Sequence, residues 1–379
     1  MENRTNVKGV LVSTEHYIGG KRIASEKTFA TINPNQPTQI LAEISRGDST
    51  TADLAVVEAQ KGFEVWSQMS VGERSTIMHK LADLIESRAQ DIATVECMDM
   101  GMRYESLVNR LVPRGARNFR SYAQIAKDHK PRKWHSNTTT NEIQRMPSGV
   151  SVIITPWNAP FMLCTWKCAP ALAAGNSVIL KPAEWSPLSA SILADLIDEA
   201  GFPAGVFNIV QGIGEEVGAA LVSNPKVARV SFTGSVDAAR IIGAAAAKNI
   251  VPFTGELGGK GPLIVFPDAD LDAAVKKAVG QFDDSGQVCL AGTRLLVHES
   301  LKEEFLSKFL ALTAKQKLGS SWEDETEITP MIHPKHLENV VGFVERARDN
   351  GDSILCGGKI YQEGALWYEP TLIEPKSND

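Results

Sequence analysis

Between residues 149 and 248 the chain switches regularly between two patterns. Short apolar runs at 150–154, 177–180, 206–210 and 227–232 have the length and the branched side chains of buried strands. The segments between and after them, 162–174, 188–200, 215–222 and 235–248, carry apolar residues at helical spacing. The first is interrupted by Pro170 and the second ends at Gly201. Strands alternating with helices through short glycine and proline turns predict an α/β fold on a doubly wound parallel sheet. Such sheets bind ligands beyond the carboxyl ends of their strands. The positions to inspect are therefore 155–158, 181–184, 212–216 and 233–235.

The flanking segments read less regularly. Tyr17-Ile18-Gly19-Gly20-Lys21 predicts a hairpin with a two-residue glycine turn. Residues 51–66 have helical periodicity. Ser70 with Glu73 forms a capping box for a second helix, and the helical pattern continues towards Met102. Met98, Met100 and Met102 do not share one helix face and are read as packing. Residues 130–146 are polar and threonine-rich, the pattern of an exposed hairpin or arm. A second α/β block starts near Gly259, with a strand at 263–266 and a helical pattern from Asp270 to Phe282. Helices at 302–318 and 337–347 and a strand at 366–368 follow. The expected division is 1–258, with an arm around 120–146, and 259–379.

A chain of 379 residues is too long for one ordinary core, which agrees with two domains. A net charge of −6 argues against a nucleic-acid partner, and the one basic cluster, 127–133, is broken by Asp128 and Pro131. No apolar run reaches the length of a membrane span, and the N-terminus is polar rather than signal-like. Five cysteines without framework spacing fit a reducing cytoplasm. Cys164 and Cys168 share a helix face, but with no second pair and no nearby histidine they make no zinc site, and no metal is expected. His333 and His336 flank a proline and are read as loop residues.

The chemistry centres on Gly286-Gln287-Val288-Cys289-Leu290-Ala291-Gly292, a cysteine between glycines in a turn from helix to strand. A thiol there is accessible, but a nucleophile also needs its thiolate form supported. Addition to a carbonyl makes an oxyanion, for which the Asn158 side-chain amide and the Cys289 backbone N–H are candidate donors. Glu256 is a candidate general base. Lys181 and Glu184, in Lys-Pro-Ala-Glu at a strand end, suit a ribose; a carboxylate there repels a 2′-phosphate and favours NAD over NADP. Gly234-Ser235 opens a helix whose free N–H groups suit a phosphate. The stretch Gly212 to Gly218, which includes Gly214, misses the dinucleotide fingerprint by one residue and is read mainly as a turn.

Together these stretches resemble the aldehyde dehydrogenase superfamily. The matching motifs are Tyr17-Ile18-Gly19-Gly20, Thr31-Ile32-Asn33-Pro34, Pro156-Trp157-Asn158, Lys181-Pro182-Ala183-Glu184, Phe232-Thr233-Gly234-Ser235, Glu256-Leu257-Gly258-Gly259-Lys260, Gly286-Gln287-Val288-Cys289 and Glu369-Pro370-Thr371, in order along nearly the whole chain. The resemblance implies an NAD-binding domain followed by a catalytic domain, a small-molecule aldehyde substrate, and oxidation to the acid through a thiohemiacetal and a thioester. It implies Cys289 as nucleophile, Glu256 as general base and Asn158 as oxyanion donor. Thr155, Trp157, Lys181, Glu184, Gly214, Gly234, Ser235 and Leu257 then face the cofactor. Trp166-Lys167 and the stretch from Lys181 to Pro187 are similar to members that oxidise semialdehydes from aromatic-acid breakdown.

Two departures stand out. Ala239 takes the place of a second glycine after Gly234. The family continues with a Glu-Ile-Phe-Gly-Pro-Val stretch where this chain stops at Asp379, so the resemblance implies a truncated member with an incomplete catalytic domain. The homodimer or homotetramer of the family would then lack its C-terminal strand. Two alternatives follow: an impaired fragment that binds nucleotide or intact relatives, and an acylating enzyme that passes the thioester to coenzyme A. Glu256 argues against the latter, since water activation is what that route avoids.

Overall fold

The computed structural model describes residues 3–377. The chain forms two compact units. One comprises the chain up to Thr31, Leu41–Glu96 and Leu107–Glu256; the other comprises Ile32–Ile40, Cys97–Ser106 and the chain from Leu257 onward. The structure thus departs from a single cut after residue 258, because two short segments join the second unit. Hydrogen bonds explain why: the Ser321 N–H donates to Asn35 Oδ1 at 2.9 Å, and the Tyr104 N–H donates to Ser321 O at 2.9 Å. Pairings across more than 200 residues leave no trace in local periodicity.

The first unit is built on one seven-stranded sheet. Its strands are β1 (His16–Ile18), β2 (Lys21–Ile23), β3 (Val150–Ile154), β4 (Ser177–Lys181), β5 (Phe207–Ile209), β6 (Arg229–Gly234) and β7 (Phe253–Leu257), in spatial order β7-β6-β3-β4-β5-β1-β2. Strands β6, β3, β4 and β5 are mutually parallel, while β1 joins β5 antiparallel and forms a hairpin with β2. Gly19 and Gly20 take φ of 61° and 78°, as the two-residue turn of that hairpin requires. Every residue of β3 and β4 is buried, so these strands are apolar on both faces. Chain order reverses at β3, with β4 on one side and β6 on the other. That reversal is a topological switch point, where α/β sheets open a crevice.

The helices are α1 (Ser49–Trp66), α2 (Val71–Ser87), α3 (Ala89–Met100), α4 (Val112–Asp128), α5 (Pro160–Ala173), α6 (Leu188–Ala200) and α7 (Val236–Lys248); α1, α5, α6 and α7 pack on the sheet, and α2 and α4 pack on other helices. Asp48 and Ser70 both close capping boxes, with Thr51 and Glu73 as partners. Trp66 ends α1 fully buried, its indole N–H donating to Leu172 O at 2.8 Å. The hairpin Arg132–Ser136/Thr139–Ile143 is exposed throughout apart from half-buried Asn141, as the polar pattern predicts.

In the second unit β8 (Pro262–Val265) pairs parallel with β9 (Arg294–Val297). Helix α8 (Leu271–Val279) and helix α9 (Lys302–Thr313) bury Val275, Phe305 and Phe309 with Val265. A separate cluster joins α10 (Pro334–Asn350) to the antiparallel pair β10 (Ser353–Cys356) and β11 (Leu372–Glu374). Two expectations change here. Leu366 and Tyr368 are buried in this cluster on alternate sides of Trp367, which mimics a strand, yet the segment makes only an isolated bridge from Tyr368 to Ile360. His333 stays outside the helix as its extended N-cap, but His336 is not a loop residue: it lies in the first turn of α10, which Pro334 opens at a position where no intrahelical N–H bond is lost.

Gly62 marks the tightest approach between α1 and the chain entering β5. A Cβ at this position would lie 2.1 Å from the Gly205 carbonyl carbon. Alanine normally favours a helix by about 1 kcal/mol over glycine. Here we expect Gly62→Ala to destabilise the first unit by about 3 kcal/mol. Denaturant unfolding checks this, with wild-type stability as the contrary result.

Candidate active site

In the first unit the expected residues gather at the carboxyl ends of β3, β4 and β6. Thr155 follows β3 directly. Its N–H donates to Lys181 O at 3.2 Å, and its hydroxyl lies 3.2 Å from Cys164 Sγ. A bend through Pro156, Trp157 and Asn158 then leads into α5. Trp157 and Asn158 are half-buried. The Trp157 carbonyl accepts from Ser186 Oγ at 3.4 Å, and the indole packs on Trp185 with ring centroids 5.9 Å apart.

Lys181 ends β4 with only 2% of its surface exposed. Its ammonium donates to Pro182 O at 2.8 Å and lies 3.4 Å from Glu184 Oε2, and it is this pair that the motif placed on one ligand. Burial pushes the Lys181 pKa down, and Glu184 opposes the shift. Gly218 gives the lysine stem room, since a Cβ there would sit 3.3 Å from Lys181 Cδ.

Gly214 opens a single π-helical turn, Gly214–Gly218. Glu216 in that turn pairs with Arg46 Nε at 2.7 Å, which engages one of its two acids. After β6, Ser235 caps α7 by accepting the Ala238 N–H at 3.2 Å. A side chain at Gly234 would meet the Phe232 ring at 2.5 Å, so only glycine fits. Ala239 is buried on the inner face of α7. Glu256 is exposed on β7. Half-buried Lys167 on α5 is held low in pKa by burial, and the charge of Glu256 offsets that shift. The two charges lie 89 positions apart, so no local pattern in the sequence reveals this pairing.

The second unit carries Leu257 and Cys289. Leu257 is 40% exposed. Cys289 is exposed in a turn closed by the Ala291 N–H on Val288 O at 3.1 Å. The approach to it is unusual. The helical pattern reaches Phe282 as expected, its last residues as a 3-10 turn, and the backbone then breaks: Asp284, Ser285 and Gly286 take φ of 51°, 58° and 69° in succession. The side chain of Gln287, 7% exposed, accepts the Ile332 N–H at 3.1 Å, and Gln281 Oε1 accepts the Gly292 N–H at 2.6 Å. The turn is therefore held on both sides of the thiol. The other cysteines differ. Cys97, Cys164 and Cys168 are buried, and burial pushes the Cys164 thiol up to about 12. Among the described residues no group of His, Cys, Asp and Glu could hold a metal, and no helix is long and apolar enough to cross a membrane.

The sequence pattern that defines the "Aldehyde dehydrogenase family" matches residues 22–379. The chain belongs to the aldehyde dehydrogenase family. It is 36% identical to a 2-hydroxymuconic semialdehyde dehydrogenase of Pseudomonas sp., over 94% of this chain and 76% of that one. The NAD⁺ complex of an aldehyde dehydrogenase from Bacillus cereus superposes with a TM-score of 0.92 at 35% identity, covering 95% of this chain and 74% of the other. An indole-3-acetaldehyde dehydrogenase of P. syringae, solved with NAD⁺, superposes with a TM-score of 0.94 at 32% identity, covering 97% and 76%. The α/β aldehyde dehydrogenase fold and an oxidoreductase activity on aldehydes follow, with NAD in use in the family.

One buried histidine supports the turn that leads to Gly214. His16 Nδ1 accepts the Gln211 N–H at 3.0 Å, which leaves Nε2 to donate to Ser25 Oγ at 2.8 Å. Burial lowers its pKa from 6.5 to about 4, Asp48 partly opposing. The folded state therefore prefers the neutral ring. Its contribution is complete above pH 6.5 and is lost as pH falls towards 4, by about 3 kcal/mol. Unfolding followed across this window should show that loss, and His16→Gln should flatten it.

Proposed function

We propose that this aldehyde dehydrogenase converts its aldehyde to the carboxylic acid through a covalent adduct on Cys289, with NAD in preference to NADP. The observation that carries the reading is the contrast among five thiols, of which Cys289 alone is exposed. Sulfur adds to the carbonyl carbon, and the oxygen takes the charge. The Asn158 amide and the Cys289 N–H are the donors for that oxygen, which favours the tetrahedral adduct over the flat aldehyde. NAD, when bound, supplies the acceptor for the hydride that leaves as the adduct becomes a thioester. Glu256 then takes a proton from water, the water oxygen adds to the thioester, and the C–S bond breaks to release the acid and the thiolate.

The residues of the first unit fit the dinucleotide. Lys181 and Glu184 stand together at a strand end, 3.4 Å apart, and offer a ribose diol a donor and an acceptor, with Glu184 35% exposed. Its carboxylate repels a 2′-phosphate, the basis for NAD over NADP. Gly234 and Ser235 offer the start of α7 to the pyrophosphate, while Thr155, Trp157 and Gly214 complete the cofactor contacts of this unit.

For the substrate we favour a semialdehyde bearing an acid group. A relative's name points that way, and so does Arg114 on α4, whose guanidinium stacks 5.4 Å from the ring centroid of Trp166 on α5. Both side chains are exposed, and α5 is the helix that Asn158 leads into.

Cys289→Ala is expected to abolish NADH formation from NAD⁺ and an aldehyde panel. Glu256→Gln is expected to keep a first-turnover burst of NADH while slowing acid release about a hundredfold. Stopped-flow absorbance separates the two phases, and equal loss of both in Glu256→Gln contradicts its hydrolytic role. Arg114→Ala is expected to raise KM about tenfold for an aldehyde with a distal carboxylate and to leave an uncharged aldehyde of equal length unchanged. Equal effects on both remove the case for an acid-bearing substrate.

A further inference from the structure

Helix α5 starts in an unusual way. Pro160 occupies its first position and has no N–H, so Phe161 carries the first backbone donor of the helix. The preceding residue, Ala159, makes no side-chain cap. The acceptor comes instead from another helix. Glu96 on α3, 65 positions earlier, takes the Phe161 N–H on Oε2 at 2.9 Å. Its relative exposure is 0%.

A buried carboxylate is costly to keep, and the positive end of a helix offsets part of that cost. A serine at position 159, which is buried, would cap the helix locally without burying a charge. A cap from α3 does something different: it fixes where α5 begins, not only that it begins. The same carboxylate raises the pKa of Cys164 through its charge, and Cys164 Sγ lies 3.2 Å from Thr155 Oγ1. Thr155 is in turn held by Lys181 O. The turn carrying Trp157 and Asn158 is thus anchored at both ends.

We propose that Glu96 is a positioning residue: by accepting the Phe161 N–H it sets the start of α5, and through it the place of the Asn158 amide. The role rests on Asn158 as oxyanion donor. Neutral glutamine can still accept this hydrogen bond, whereas alanine cannot.

The test compares Glu96→Ala and Glu96→Gln in the full chain, alone and combined with Asn158→Ala. Amide exchange of the peptide spanning residues 159–163 is expected to quicken about tenfold in Glu96→Ala and to stay near wild type in Glu96→Gln. The NADH burst is expected to fall about tenfold in Glu96→Ala with the Kd for NAD⁺ within about twofold, to recover in Glu96→Gln, and to lose nothing further when Glu96→Ala is added to Asn158→Ala. Unchanged exchange in Glu96→Ala overturns the proposal. So does an equal loss of burst with and without the Asn158 amide, which marks a general structural role. Should Glu96→Ala fail to fold, Glu96→Asp, one methylene shorter, replaces it under the same expectations. If the unsubstituted chain forms no NADH, the proposed reaction fails, and amide exchange alone decides whether Glu96 holds the turn.

Discussion

The register of three parallel strands is the constraint on which the first unit depends. Ile154 of β3 lies opposite Lys181 of β4 and opposite Phe232 of β6. Strands β3 and β4 therefore end level with one another, and β6 runs two residues past that level to Gly234. Lys181, Thr155 and Thr233 emerge within one residue of that height around the switch point, although they come from distant parts of the chain. A slip of one residue would turn each side chain of β3 to the opposite face, and burial of both its faces in a packed core resists that slip.

Levelness also explains where charge is tolerated. The strand centres are apolar, and the polar groups sit at the ends where they find partners. Lys181 is nearly inaccessible yet keeps Pro182 O and Glu184 as acceptors. His16, on a neighbouring antiparallel strand, gives up its charge and serves as an acceptor for a backbone N–H. Both residues obey one rule, that burial is affordable for a polar group only with a fixed partner. They reach opposite outcomes because one faces a carboxylate and the other an amide hydrogen.

Much of this was readable from sequence. The runs at 150–154 and 177–180 are confirmed as strands, the Ser70–Glu73 capping box forms, and the glycine hairpin turns where Gly19-Gly20 sits. Those features are local, set by periodicity and turn chemistry within a few residues. What escaped was non-local. Residues 32–40 and 97–106 join the second unit through Ser321, and Leu366 with Tyr368 alternates because a cluster buries both, not because a ladder pairs them. His336 differs for another reason: the apolar period starts the helix at residue 337, whereas Pro334 opens it three residues earlier. At the site, motifs identified which residues to examine, but not the Glu96 carboxylate beneath them, since nothing in a single acidic residue foretells its partner.

The thiol turn shows why some environments cannot be reached by pattern alone. A helical period running from Asp270 to Phe282 gives no sign of the left-handed run that follows it, and neither Asp284 nor Ser285 is a residue that favours left-handed backbone as glycine does. Two successive non-glycine residues there cost on the order of 1 kcal/mol each. Such a conformation persists only where neighbours over-determine it. Here they do: Ser285 Oγ bonds Thr329 O, Gln287 takes the Ile332 N–H, and Gln281 takes the Gly292 N–H. The strain is thus tied to a rigid frame rather than to a loose loop. A nucleophile gains from that frame, because a sulfur held in one place spends less of its reaction barrier on finding the carbonyl.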